Sequence, residues 1–454
     1  MILSKEEAQK LLKKVLAFSK ADECEVSLNG GITGNIRYAL NAVSTAGEVE
    51  SLSISVTSHY GKKSASSGTD DFDDAALERA VRRSEELAQL APENPEREEM
   101  TGPVEFKESI TYNPTTAAMT PDTRADLVGK SLVESKKAKL QAAGFLENST
   151  SFIAVMNSKG FFAYNKSSDV IFSVTTRNAE GTASGYAARG FTDVSKLDTA
   201  SATRVACMKA NASLGARAIE PGKYTVILEP VAATYMLENM FRFDARSAEE
   251  GRSYLSKKGG GTRLGEQLMD EKVTIYSDPF DPDLPAPTWG GGGGGGRGGG
   301  GGASGLPNEK TIWIDKGVVK TLSYDRYWAK KKGVAPQPGP SNIIMAGGNT
   351  SLEEMIKSTE KGILVSRLWY IRMVDPQVVL LTGLTRDGTF YIENGEIKFP
   401  VKNFRFNESP VIMLNNLEAL GKPERSISVE SYRSYMIPPM KIRDFTFSSL
   451  SDAV

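Results

Sequence analysis

Histidine is almost missing from this chain: among 454 residues His59 is the only one. A hydrolase with an imidazole base would have to use His59, and a zinc site with two or three histidines cannot be assembled from a single such chain. Cysteine is scarce as well. Cys24 and Cys207 lie far apart in sequence, cannot form a cysteine-based zinc cluster by themselves, and read as reduced, buried thiols. Charge of either sign is not in excess, since 55 Lys and Arg against 56 Asp and Glu leave a net charge of -1. Such a balance supplies no general attraction to phosphate backbones or anionic lipid, so nucleic acid is not expected as a direct partner. No apolar run approaches the ~20 residues that a membrane-spanning helix requires, and charge follows at once in Ser4-Lys5-Glu6-Glu7. The expectation is a cytoplasmic protein without a membrane segment.

What is present is enough chain for two or three domains, each able to bury a core without disulfides or metals. Ser4 and Glu7 form a capping box, and Ala8, Leu11, Leu12, Val15 and Leu16 recur at helical spacing behind it. Ile36, Tyr38 and Leu40 alternate with polar residues, as do Leu52, Ile54 and Val56, and Asp73 or Asp74 opens a second helix carrying Leu77, Ala80, Val81, Leu87 and Ala88. The proline-rich, charged stretch from Ala91 to about Pro103 holds little to bury and reads as a boundary. Beyond it come a helix from Pro121-Asp122, a hairpin from Phe152–Met156 through Asn157-Ser158-Lys159-Gly160 to Phe161–Tyr164, a strand at Val170–Thr176 and a helix at Thr199–Leu214. Strand signals then dominate: Tyr224–Leu228, Thr311–Ile314 with a turn at Asp315-Lys316-Gly317, Val378–Leu381, and Thr389–Ile392 with a turn at Asn394-Gly395. The fold class expected is α+β, with α+β domains at 1–103 and 104–221 followed by a mainly β domain at 222–454.

Four features could carry chemistry. His59 stands where a strand runs into Tyr60-Gly61-Lys62-Lys63, the setting of an ordinary structural residue. Ser358-Thr359-Glu360-Lys361 has a Ser-x-x-Lys spacing, which on a helix would put a lysine one turn from a serine nucleophile, but the companion motifs that give it meaning are absent. Glu229, Glu238, Asp244, Glu249 and Glu250 form a carboxylate-rich segment that could hold Mg²⁺ or Ca²⁺, or else a solvated helix face with Arg242 and Arg246 as i,i+4 partners. Gly290–Gly302, broken only by Arg297, resembles a phosphate-cradling loop superficially, for no Gly-Lys-Ser/Thr ending follows. It reads as a flexible loop, an introduced linker, or glycines standing in for an unknown stretch.

Read together and in order, these features resemble the TldD/PmbA family of zinc-metalloprotease-related proteins. The opening helix, Asn35–Val43 and a helix over Gly68–Leu90 look like that family's first domain. Pro221-Gly222-Lys223-Tyr224-Thr225-Val226-Ile227-Leu228 looks like the strand entering its third domain; Ile312–Lys320 and Glu393-Asn394-Gly395-Glu396-Ile397 with Pro400-Val401 are similar to later hairpins. In active members, the resemblance implies, a helix after the Tyr224-type strand carries His-Glu-x-x-x-His, and a later cysteine completes the zinc site. Placing Pro230 on the proline before that motif sets Glu238, Asn239 and Phe243 where His, Glu and His would stand, and Val365 near the cysteine. The pattern then resembles the PmbA side of the family, also called TldE, whose members lack the metal site and pair with a zinc-bearing TldD-type subunit to cleave unfolded or extended peptides. The older label for such proteins is modulator of DNA gyrase.

The expectation is therefore a chain with no catalytic residue, no metal and no cofactor of its own. It would form a heterodimer with a TldD-type subunit that holds the zinc, or a homodimer, and its third domain would offer strand edges to a peptide. Two alternatives remain at this point, a free-standing peptide-binding or scaffold protein of the same fold and a peptidase with an atypical site.

Overall fold

The computed structural model describes residues 2–290, 305–428 and 430–451. From 291 onward the glycine run lies outside them.

The amino-terminal half is one antiparallel sheet with helices on a single face. Helix α1 (Lys5–Phe18) starts at the expected box, Glu7 N–H donating to Ser4 Oγ at 3.2 Å and Ser4 N–H to the Glu7 carboxylate at 2.8 Å. Strands β1 (Glu23–Ala39) and β2 (Ala42–Tyr60) follow, then β3 (Lys63–Thr69) and α2 (Asp74–Leu90), capped by Asp73. Asn35–Val43 is not one strand. Leu40 and Asn41, at φ 51° and 60°, make a two-residue turn between β1 and β2. The helix expected over Gly68–Leu90 begins only at Asp74, because Gly68 and Thr69 belong to β3, paired with Ser55 and Ile54.

Next come α3 (Pro114–Ala117), α4 (Pro121–Lys137), β4 (Gln141–Asn157), β5 (Phe162–Arg177), β6 (Ser184–Phe191) and α5 (Thr199–Ala212). Val170–Thr176 is the second half of β5 rather than a strand of its own. The six strands run in the order β3-β2-β1-β4-β5-β6, and β1 pairs with β4 from Glu25↔Asn157 to Tyr38↔Gly144. The segments expected at 1–103 and 104–221 thus share one sheet. Even-numbered residues of β1 face the helices throughout: Val26 and Leu28 join Leu12, Val15, Leu77 and Val81, while Ile36 and Tyr38 join Leu127, Val128, Phe172 and Ala206. The buried Arg124 guanidinium lies where a Cβ on Gly34 would sit, only 2.0 Å away, and donates to Asn148 Oδ1 at 2.9 Å and the Glu48 carboxylate at 2.8 Å. Glycine at 34 is what lets that arginine cross the sheet.

The carboxy-terminal half is strand-rich, as expected. It opens with β7 (Gly222–Leu228), α6 (Pro230–Leu237) with a 3-10 turn at Glu238–Met240, α7 (Ala245–Glu249), β8 (Ile275–Ser277), β9 (Thr311–Asp315), β10 (Val318–Val319), α8 (Arg326–Lys332), β11 (Ile344–Met345) and α9 (Leu352–Lys357). It continues through β12 (Lys361–Asp375), β13 (Leu380–Glu393), β14 (Glu396–Pro400), β15 (Phe404–Glu408), α10 (Pro410–Asn415), β16 (Leu417–Leu420), β17 (Glu424–Ile427), β18 (Ser434–Ile437) and β19 (Met440–Leu450). Of the strand expected at Val378–Leu381 only Leu380 and Leu381 fall on β13, which also takes in Thr389–Ile392 and has positive φ at Asp387 (53°) and Gly388 (128°) between them. That irregularity broke the alternation in sequence.

β12, β7, β19, β15 and β13 pair in succession, and β12 also pairs with β13, so the five close into a ring. Closure leaves the five ring strands without a free flank, while β14 and β16 pair on one side only and remain strand edges in this half. A second sheet, β10-β9-β8-β11-β18-β17, reaches the amino-terminal half where Ile427 meets Gly190. The stretch read as an unburied boundary is a strap across both halves. Glu96 grips Arg246 with two hydrogen bonds of 2.7 and 2.8 Å, Glu98 pairs with Lys330 at 3.0 Å, and Phe106 packs edge-on to Phe161 and beside Trp289.

Candidate functional site

β7 ends against β12, with Glu229 N–H donating to the Val365 carbonyl at 3.1 Å, and Pro230 starts α6 at the position where its missing N–H costs nothing. Polar side chains gather around this junction. The Glu229 carboxylate pairs with Lys209 of α5 and accepts from Ser366 Oγ at 2.9 Å. Next along β12, the buried Arg367 pairs with the buried Asp387, while its guanidinium stacks 3.8 Å from the Tyr186 ring centre on β6 and 4.8 Å from that of Trp369. Among the described residues, Arg367 Nε and Asp387 Oδ1 have no hydrogen-bond partner.

Glu238, just past α6, accepts from Ser428 Oγ at 2.7 Å and Ser431 Oγ at 2.9 Å. Burial pushes its carboxyl above the ordinary range, and the two hydroxyls act in the opposite direction. Tyr435 alongside is pushed up to about 12, first by burial and then by the neighbouring Glu238 charge. Asn239 donates to the Tyr235 carbonyl at 3.2 Å. Phe243 is buried and stacks on Trp313 with ring centres 5.0 Å apart. Val365 is buried in β12, paired in parallel with Leu228. The four positions that the resemblance sets against the zinc ligands and base are thus gathered around α6, and each is engaged by protein neighbours. Among the described residues, no group of three or more His, Cys, Asp or Glu side chains is placed to hold a metal ion.

The remaining candidates are dispersed. Asp244 caps α7 by accepting from Ser247 N–H at 2.7 Å, Glu249 pairs with Lys332, and Glu250 pairs with Arg246 at 2.9 Å in the i,i+4 relation. Arg242 is exposed. Ser358 ends α9 and Lys361 begins β12, so no helical turn joins them; the ammonium at Ser358 is that of Lys441, 3.2 Å from Oγ. His59 sits on β2 with Nδ1 accepting from Arg97 Nε at 2.7 Å, and Arg97 also pairs with the buried Glu23. Burial holds its imidazole below the ordinary value.

Sequence reasoning missed Lys209, Ser366, Arg367 and Asp387. They come from three elements, α5, β12 and β13, and only Ser366 and Arg367 are neighbours in sequence. The one local signal was Asp387-Gly388 interrupting an apolar strand pattern.

The fold and the sequence place this arrangement among known proteins. Residues 221–449 match the PmbA/TldA metallopeptidase C-terminal domain, and residues 24–88 match PmbA/TldA metallopeptidase domain 1. Metalloprotease PmbA of Escherichia coli O157:H7 is 23% identical across 97% of this chain and 98% of its own. Among solved structures, TldE from Thermococcus kodakarensis superposes with a TM-score of 0.83 at 18% identity, covering 97% of this chain and 99% of that one. A Thermotoga maritima protein described as a modulator of a DNA gyrase gives a TM-score of 0.83 at 16% identity, covering 97% and 100%. With one domain pattern spanning the carboxy-terminal half and a second matching β1 to α2 of the amino-terminal half, the chain belongs to the PmbA/TldA metallopeptidase family, also called TldD/PmbA.

Proposed function

We propose that this chain is the non-catalytic subunit of a two-subunit metallopeptidase acting on unfolded or extended peptides, with the zinc held by a TldD-type homologue. The observation that carries the reading is what stands at the four aligned positions. Phe243 and Val365 have no ligand atom and are 1% and 0% exposed. Asn239 fastens the end of its own helix, and the Glu238 carboxylate is taken up by two serine hydroxyls. Zinc in a peptidase takes three nitrogen, sulfur or oxygen ligands from the protein and leaves one position for water. These residues do not fit that requirement, so no step of hydrolysis is assigned to them. Balanced charge supports peptide as the substrate class in preference to nucleic acid.

Co-expression with a homologue carrying His-Glu-x-x-x-His tests the proposal. The expected result is a stable complex on size exclusion, zinc in the complex but none in stoichiometric amount in this chain alone, and cleavage of an unfolded peptide only by the mixture. If the chains elute separately at micromolar concentration, or the homologue alone cleaves as fast, the subunit reading fails and a free-standing peptide-binding protein replaces it.

A further inference from the structure

Away from the candidate site, the strap alternates in what it holds. Glu96 and Glu98 reach Arg246 and Lys330 of the carboxy-terminal half, and Arg326 Nη1 donates to the Glu99 carbonyl at 2.6 Å. Arg97, between them, turns to the amino-terminal sheet. Its Nη1 donates to the Gly61 carbonyl at 2.8 Å and its Nε to His59 Nδ1 at 2.7 Å, and it pairs with the buried Glu23 carboxylate, which also accepts from Met100 N–H at 3.2 Å. The segment is tied at both ends, where Asn94 N–H donates to the Lys62 carbonyl and Asn157 Nδ2 to the Thr101 carbonyl, each at 2.9 Å. Glu23 and His59 are cross-strand partners on β1 and β2, on the face away from the helices. Side chains so placed are within reach of each other, their Cβ atoms about 4.5–5.5 Å apart. Arg97 thus bridges a carboxylate and an imidazole that are able to meet without it.

We infer that His59 is a proton-operated catch for this strap: on taking up a proton its ring pairs with Glu23, Arg97 is displaced, and residues 95–100 come away from the amino-terminal sheet. An imidazole accepts at Nδ1 only while that nitrogen carries no proton. Once protonated it faces the permanent charge of Arg97 across 2.7 Å, and both cations compete for Glu23. Lys159, 3.5 Å from the same carboxylate, is a third claimant. The other charged groups around the ring are Glu25 two residues along β1, Asp22 accepting from Gly61 N–H, Lys62 at the Arg97 carbonyl, and Glu99 on the strap; from β3 the uncharged Ser64 stands opposite. Burial lowers the imidazole from its ordinary value, so the catch is shut at neutral pH. The shut form binds fewer protons than an open form with a solvated ring, so acid favours opening, by at most about tenfold per pH unit for one proton. Glu96 and Glu98 stay on the carboxy-terminal half, and the opened segment is then held between its ends on that side alone. The inference does not depend on the proposed subunit role.

His59 is the only histidine, so the full chain without a tag gives one imidazole signal by NMR, whose titration can be set beside hydrogen exchange of residues 95–100. After correction for the intrinsic effect of pH, protection of that segment should fall about tenfold between about pH 7.5 and about pH 5.5, while the β1–β4 ladder keeps its protection. The fall should follow the imidazole titration, centred below the ordinary value of about 6.5. His59→Gln keeps an acceptor for Arg97 at every pH and should hold the segment shut across the range. Arg97→Ala removes what the catch holds and should leave the segment poorly protected throughout, with no further fall in acid. Strap protection that ignores the imidazole titration in the unmodified chain, or a pH-dependent fall of the same size in either variant, would overturn the inference.

Discussion

The two halves of the molecule handle strand edges in opposite ways. The amino-terminal sheet is open and ends in a long exposed arm, whereas five strands of the carboxy-terminal half close on themselves around Phe404, Phe406, Phe445 and Phe447. Closure makes each strand depend on two neighbours, so stability there is collective. An open edge leaves half of its hydrogen-bonding capacity for something else. The difference separates a scaffold from a surface.

The strongest way to break this contrast is to remove a ring residue. Phe447 is buried and stacks 4.6 Å from Phe404, so Phe447→Ala should cost about 3–5 kcal/mol. Val49→Ser on the arm should change monomer stability by no more than about 0.5 kcal/mol. Urea midpoints measured on the two variants check both figures. Equal shifts would mean that the arm is as integral as the ring.

A smaller effect is expected at Glu238. Its carboxyl is raised in the folded chain, so its contribution to stability is fully present below the ordinary carboxyl range and is lost as pH rises through the raised folded value. Glu238→Gln should thus gain on the unmodified chain between pH 4 and pH 8 (roughly the window from the ordinary glutamate value upward), as read from denaturation midpoints. An unchanged difference across that range would show the carboxylate to be solvated.

The smallest expected effect is at His59. Its imidazole is lowered by burial, so the folded chain takes up fewer protons than the unfolded one, and stability falls as pH drops below about 6.5. His59→Gln should flatten that slope and leave turnover of an assembled peptidase within about a factor of ten. A loss beyond roughly a hundredfold with folding intact would make His59 a catalytic base.

Local chemistry made much of the fold legible. Ser4 with Glu7, Asp73, Pro121 and Asn394-Gly395 each ended or began an element where the structure has it, because caps and turns are decided by a few adjacent residues. Long-range pairing was not legible. Nothing in Glu25–Tyr38 names residues 144–157 as its partner, and nothing in β12 announces that β13 closes the ring. The turn at Leu40-Asn41 was hidden because leucine is an unusual occupant of a left-handed turn position. At the candidate site a helix after the Tyr224 strand was implied by the family resemblance, but Ser428 and Ser431 are brought to Glu238 from almost two hundred residues away.

The partnership of β1 with β4 also sets a timetable for synthesis. When the first 103 residues have left the ribosome, β1 has β2 on one side and an empty flank on the other, because the strand that fills it ends only at Asn157. At about 5–20 residues per second that flank stays bare for several seconds. A fragment stopped near residue 103 would carry the same exposed strand permanently. Production of the amino-terminal segment alone should yield aggregates, and the shortest piece worth expressing runs through β6 at Phe191 and its covering helix α5.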